Sequence, residues 1–155
     1  MNTPPPGAAP EGWDLPTPFV IEDRVADEDI DGLGHANNTS YMRWCERVSW
    51  AHSAALGITL ATYQEMRRAM VIRRCEYDYE RAAFADQGLL LATWLVECDD
   101  VIRVVRRFQI RDPRSGATLL RARTEFVCID LDTGRATRMP TRFADTYGGA
   151  LVRSR

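Results

Sequence analysis

Lysine is missing altogether: all twenty basic residues of the 155-residue chain are arginine. Surface chemistry demands no such swap, so the ordinary reading is a codon bias; a functional reading, that some arginines hold phosphates, needs geometry to single them out. Cysteine is scarce and scattered. Cys45, Cys75, Cys98 and Cys128 form no C-x-x-C pair and have no histidine at metal-ligand spacing, which argues against a thiolate metal site and reads as small buried thiols in a reducing compartment. Cys45 lies between His35 and His52 in sequence, but neither spacing enforces the contact a thiol nucleophile needs. No apolar run reaches transmembrane length, and no basic segment leads into an apolar one at the start. A cytoplasmic protein is expected. The net charge of −2 offers no electrostatic case for nucleic acid or an anionic membrane as partner.

What is present reads as one domain large enough for a real core, with 45% hydrophobic and 27% charged residues. Residues 1–18, rich in Pro, Gly and Ala, read as a flexible N-terminal tail in which Trp13 alone could dock; residues 19–155 form the domain. Phe19 to Ala26 predicts a short strand. Asn38 to Leu56 predicts a long helix, with Tyr41, Trp44, Cys45 and Val48 on one face, an N-cap at Asn37, Asn38 or Thr39, and a stop at Gly57. Ile58 to Arg67 reads as a linker. Period-two alternation then predicts strands over Met70–Tyr79, Leu89–Cys98, the stretch around Ile102–Ile110, and Ala117–Leu131, with turns at Asp99-Asp100, Pro113–Gly116 and Asp132–Gly134. Arg106 stands on an otherwise apolar strand face, as at a sheet end or a subunit seam. A short helix follows Pro140. One strand, one long helix and four antiparallel strands predict an α+β fold, a curled antiparallel sheet of about five strands around one central helix.

Chemistry-bearing residues gather at the entry to the long helix. Asp27-Glu-Asp-Ile-Asp31 is acidic, but counting from Asp27 or Asp29 puts Asn38 or Ser40 where a calcium loop needs its closing Glu. Asp31-Gly-Leu-Gly34-His35-Ala-Asn37-Asn38 is different. It sets a carboxylate, an imidazole and two amides beside helix-start N–H groups, which can hold an anion or polarise a carbonyl oxygen. Glu46, on the polar flank of the helix, reads as a solvated side chain or as a second acid reaching toward the site. His52, more than three turns along, reads as structural or surface.

Asp31-x-x-Gly34-His35-x-Asn37-Asn38-x-x-Tyr41, followed by Arg43-Trp44-x-Glu46, resembles the signature of hotdog-fold acyl-CoA thioesterases of the 4-hydroxybenzoyl-CoA thioesterase type, in their GHxNN branch. The element order agrees along residues 19–147. The resemblance implies a hotdog fold, a homodimer joined sheet edge to sheet edge and in some members a homotetramer, and an acyl-CoA or acyl-carrier-protein thioester as substrate. It implies Asp31 as catalytic carboxylate and the backbone N–H of Asn38 as the donor polarising the thioester carbonyl. His35 would assist catalysis or brace the loop; Gly34, Asn37, Tyr41 and Glu46 would bind substrate. No cofactor and no metal are expected.

Thioester hydrolysis expels a thiolate whose conjugate acid has a pKa of about 8.5, so it needs no strong general acid. It needs a nucleophile and stabilisation of the carbonyl oxygen, and Asp31 could attack directly or deprotonate water. Two other classes compete: a hotdog hydratase or dehydratase, and a non-catalytic acyl-thioester binding module.

Overall fold

The computed structural model describes residues 10–152. Alternating side chains build five antiparallel strands: β1 (Phe19–Arg24), β2 (Arg68–Tyr79), β3 (Gly88–Cys98), β4 (Arg103–Arg111) and β5 (Thr118–Asp130). They pair in the order β1-β3-β4-β5-β2, which leaves β1 and β2 as the edges. The register puts Val104, Arg106, Phe108 and Ile110 of β4 opposite Phe126, Thr124, Ala122 and Leu120 of β5, all on the concave face. A bulge at Ile72/Arg74 in β2 and another at Leu95/Glu97 in β3 add to the curl.

The long helix α1 (Asn38–Ala55) lies in that concavity. Asn37 caps it, its Oδ1 accepting from the Thr39 N–H at 2.9 Å, and Gly57 at φ +88° ends it in a conformation that side chains resist. Tyr41, Trp44, Cys45 and Val48 are buried from this helix; full burial of a side chain such as Val48 is worth about 1.5–3 kcal/mol. The result is the α+β hotdog architecture, a curled sheet wrapped on one long helix.

Helix α1 lies off-centre, nearest β3 and β1. The core is consequently split. One apolar cluster gathers Tyr41, Trp44, Cys45, Leu91, Phe108 and Ile110 around the first half of α1. The other gathers Ile58, Tyr63, Leu95, Val104, Phe143 and Tyr147 around two short helices, α2 (Leu60–Met66) and α3 (Thr141–Gly149). Arg106 lies on β4 between a residue of each cluster, Val104 and Phe108.

Two readings of the chain need correction. The stretch Ile58–Arg67 is no plain linker: Thr59 caps α2, accepting from the Thr62 N–H at 3.4 Å, and the left-handed Arg67 closes it. The tail reading also fails for its second half. Residues 10–18 lie on the convex face of the sheet as a strap. Trp13 packs edge-on to Trp94, the Arg111 guanidinium lies 4.8 Å over the Trp13 ring, and Trp94 donates to the Pro16 carbonyl at 2.9 Å. Asp14 takes both an Nε and an Nη donor of Arg121, at 2.7 and 2.9 Å, which holds its carboxyl below the usual range. Residues 1–9 lie outside the described residues.

Candidate active site

The loop ahead of α1 is closed by its own backbone. Ile30 and Ala36 form an antiparallel bridge, the Asp31 N–H donates to the His35 carbonyl at 3.0 Å, and the Gly34 N–H returns to the Asp31 carbonyl at 3.1 Å. Gly34 has φ +84°, which is why a glycine stands there. The Asp31 carboxylate is half-exposed. Its Oδ1 accepts from the Leu33 N–H at 2.8 Å, while Oδ2 has no partner among the described residues.

A second acid anchors this loop. Asp29 is buried; its Oδ1 pairs with Arg43 of α1 at 2.7 Å, its Oδ2 accepts from the Ala26 N–H at 3.0 Å, and its carbonyl accepts from the Asn37 N–H at 2.8 Å. Sequence reasoning read Asp29 only as a member of the acidic run Asp27–Asp31 and gave it no role of its own. The signal that separates it is the Arg43 that faces it from the first turns of α1.

At the helix start, the Asn38 N–H has no acceptor among the described residues, and its carbonyl accepts from the Tyr79 hydroxyl at 3.2 Å. His35, Asn38, Tyr41 and Tyr79–Ala82 line a shallow depression of about 200 Å³. Of the expected substrate-binding residues, Asn37 spends its side chain on the cap. The Tyr41 hydroxyl donates to the Arg81 carbonyl at 3.3 Å and accepts from the Ala83 N–H at 2.9 Å, so it braces the loop that walls the depression. Burial raises its pKa.

Glu46 belongs elsewhere. It stands at the edge of a cavity of about 320 Å³ that opens where α1 leans away from β5 and β2, between the two core clusters. Met42, Cys45, Met70, Ile72, Phe108 and Phe126 make its apolar walls, and Ser49, Ser53, Tyr63, Arg106 and Tyr147 its polar part. The Ser49 hydroxyl is buried there with no hydrogen-bond partner among the described residues. Burial pushes the Cys45 thiol well above its ordinary pKa, so at neutral pH it is no thiolate nucleophile.

Arg106 is 3% exposed. Its Nη1 donates to Nδ1 of His52 at 2.9 Å and its Nη2 to Oγ of Ser53 at 2.9 Å, with the Tyr147 ring 5.9 Å away. A guanidinium only donates, so Nδ1 accepts and His52 carries its proton on Nε2. Burial, and then the Arg106 charge, lower the His52 pKa to about 4. His52 stacks on Phe19 at 4.7 Å and is a structural residue. Arg106 marks no sheet end: it sits in mid-sheet and lines the cavity. Its apolar neighbours on β4 gave the only sequence signal, and its depth and partners come from residues more than fifty positions away.

Residues 25–146 match the profile of the thioesterase-like superfamily. The chain belongs to the thioesterase-like superfamily. A zebrafish protein named THEM6 is 30% identical over 81 residues, 52% of this chain, and that match spans 40% of the THEM6 length. Among solved structures, a 1,4-dihydroxy-2-naphthoyl-CoA thioesterase from Synechocystis superposes with a TM-score of 0.76 at 20% identity, over 85% of this chain and 96% of its own. A Staphylococcus aureus protein solved in complex with CoA gives 0.79 at 14% identity, over 90% and 89%. These likenesses carry the fold. Membership of the thioesterase-like superfamily makes thioester hydrolysis the reaction class to weigh against the geometry. Among the described residues no helix is long and apolar enough to cross a membrane.

Proposed function

We propose that the chain hydrolyses an acyl thioester, carried on CoA or on an acyl carrier protein, to the free acid and thiol, and that it falls in the GHxNN branch of the 4-hydroxybenzoyl-CoA thioesterase type. The observation that carries this is an N–H at the start of α1 with no acceptor among the described residues, in the same short loop-and-helix-start run as a carboxylate held by one oxygen. Asp31 itself does not line the depression that Asn38 lines. The thioester carbonyl accepts from the Asn38 N–H, helped by the partial positive charge of the helix start. As the carbon becomes tetrahedral, negative charge grows on that oxygen, where a fixed donor is worth about 3–4 kcal/mol. Asp31 either takes a proton from water, so that hydroxide adds to the carbon, or adds itself to give an anhydride that water then opens. In both routes the C–S bond breaks with its electron pair on sulfur, and the thiolate takes up a proton. His35, on the wall of the same depression, helps hold water or Asp31 in place. Gly34 gives the loop its turn, and Asn37 and Tyr41 fix the helix start and the opposite wall.

A second assignment has its own support: Glu46 lines the larger cavity and Asp31 does not. Eight residues separate Asn38 from Glu46, about 12 Å along the helix, so a substrate entering the cavity passes this carboxylate.

The chain also acts as a homodimer in this proposal, joined along β2, and the homotetramer stands as a larger assembly of the same kind. β2 is a free edge of twelve residues, and Ile72 on it is 55% exposed beside Met42 and Trp50 at the cavity rim. Light scattering should return twice the mass of the chain or more.

The first test is thiol release from short, long and aromatic acyl-CoAs and from an acyl carrier protein, with Asp31→Asn and Glu46→Gln beside the wild type. Release that needs Asp31 supports the first assignment; release that needs only Glu46 moves the chemistry to the cavity. Loss of an enoyl-CoA absorbance without thiol release would mean a hydratase, and acyl-CoA binding without turnover a binding module.

A further inference from the structure

Arg106 presents an electrostatic problem. Arginine stays protonated at any pH of interest, even with burial lowering its pKa to about 10. Among the described residues no carboxylate lies within ion-pair distance of it, although most other arginines on β4 and β5 are paired: Arg103 with Glu97 and Glu125, Arg107 and Arg121 with Asp14, Arg123 with Glu97. The contrast is between faces of one sheet. Those pairs lie on the convex face; Arg106 points into the concave side, against neutral partners only.

Those partners cannot offset the charge. His52 is neutral, Ser53 gives a hydroxyl, and burial keeps Tyr63, hydrogen-bonded to Tyr147 at 3.1 Å, in its phenol form. Three of the five guanidinium N–H groups have no acceptor among the described residues. A buried, uncompensated cation is costly, and this one lines a cavity rather than solid core. One and two turns of α1 away, the same cavity holds the partnerless Ser49 hydroxyl and Glu46. Glu46 is the one carboxylate among the lining residues. It stands seven positions before Ser53, about 10 Å along the helix, at the exposed rim.

We infer that this cavity receives an acyl group whose far end carries a carboxylate, with the chain against the apolar walls, its anionic end on Arg106 and the Ser49 hydroxyl available as a further donor. The substrate class is then the half-thioester of a dicarboxylic acid. The inference rests on the acyl-thioester reading and narrows it: Arg106 acts as a specificity residue and takes no part in breaking the C–S bond.

The test compares matched pairs of CoA esters that differ only at the far end: adipoyl against hexanoyl, suberoyl against octanoyl, dodecanedioyl against dodecanoyl, hexadecanedioyl against palmitoyl. The wild type should favour the carboxylate member of at least one pair by tenfold or more in kcat/KM, carried mostly by KM. Arg106→Met should abolish or reverse that preference, read as the ratio of kcat/KM within each pair; loss of a buried, uncompensated charge makes this change tolerable for folding. Equal rates within every pair, or a preference for the plain ester throughout, overturn the inference. If no ester of either kind releases thiol, and the acyl carrier protein esters release none either, the hydrolysis reading fails on its own. The cavity is then tested by the melting temperature with the free acids: stabilisation by suberate and not by octanoate supports the inference, and equal or opposite responses overturn it.

Discussion

The entry loop of α1 and the cavity beside its middle are built on opposite plans. The loop, Asp31 to Asn38, is a short consecutive run, half-exposed, rich in polar groups and closed by its own backbone hydrogen bonds. The cavity draws on α1, α2, α3 and three strands, is mostly apolar, and includes among its polar groups a guanidinium with no ion pair and a hydroxyl with no partner among the described residues. A run of neighbours can supply reactive groups. Shape, depth and a buried charge need distant parts of the chain to close around them. The loop is therefore suited to chemistry common to every substrate, and the cavity to choosing among substrates.

That division can be broken by experiment. The largest effect is expected from Asp31→Asn, with turnover of all accepted thioesters falling by about 10³-fold, at the scale of losing a general base, while the circular dichroism spectrum stays unchanged. A loss confined to some chain lengths would erase the distinction between the two regions. Asp29→Ala should come next, costing about 1–3 kcal/mol in urea denaturation because Arg43 and the Ala26 N–H lose their acceptor; turnover should fall as well, through the loosened loop.

A pH-dependent effect belongs to the cavity side. His52 has a folded-state pKa of about 4 against about 6.5 when unfolded. Between those values the unfolded chain binds more protons, so stability should decline as pH falls from about 6.5 to about 4 and lose nothing further from this group below that. Urea midpoints of the wild type and His52→Gln, measured across that window, should converge toward low pH. The smallest effect is expected for Ser49→Ala. Removing a partnerless buried hydroxyl should stabilise the fold by about 1 kcal/mol, while weakening use of carboxylate-ended substrates.

Much of the architecture was legible because its signals are periodic and local. The helix from Asn38, the strands and their turns follow from spacing, and the candidate chemistry follows from one run of residues. What escaped depended on partners far along the chain. Trp13 and Asp14 look like part of a proline-rich tail until Trp94, Arg111 and Arg121 are placed beneath them. The seven-residue α2 is too short for its period to stand out from a linker. Arg106 could be noticed on an apolar face, but only the off-centre position of α1 opens a cavity before it. Asp31 stands apart in sequence through the Gly-x-Gly that follows it, whereas nothing local marks Asp29, two positions earlier, as the buried anchor the fold makes of it.

The strap over the convex face has a bearing on architecture beyond the single chain. Gln109, fully covered, donates to the Gly12 carbonyl and accepts from the Asp14 N–H, and Trp94 is sealed beneath Pro16 and Trp13. This patch of the convex face is already roofed by the chain itself. Any assembly that met the convex face at this patch would therefore touch the strap rather than bare sheet, and its contacts would be set by residues 10–18.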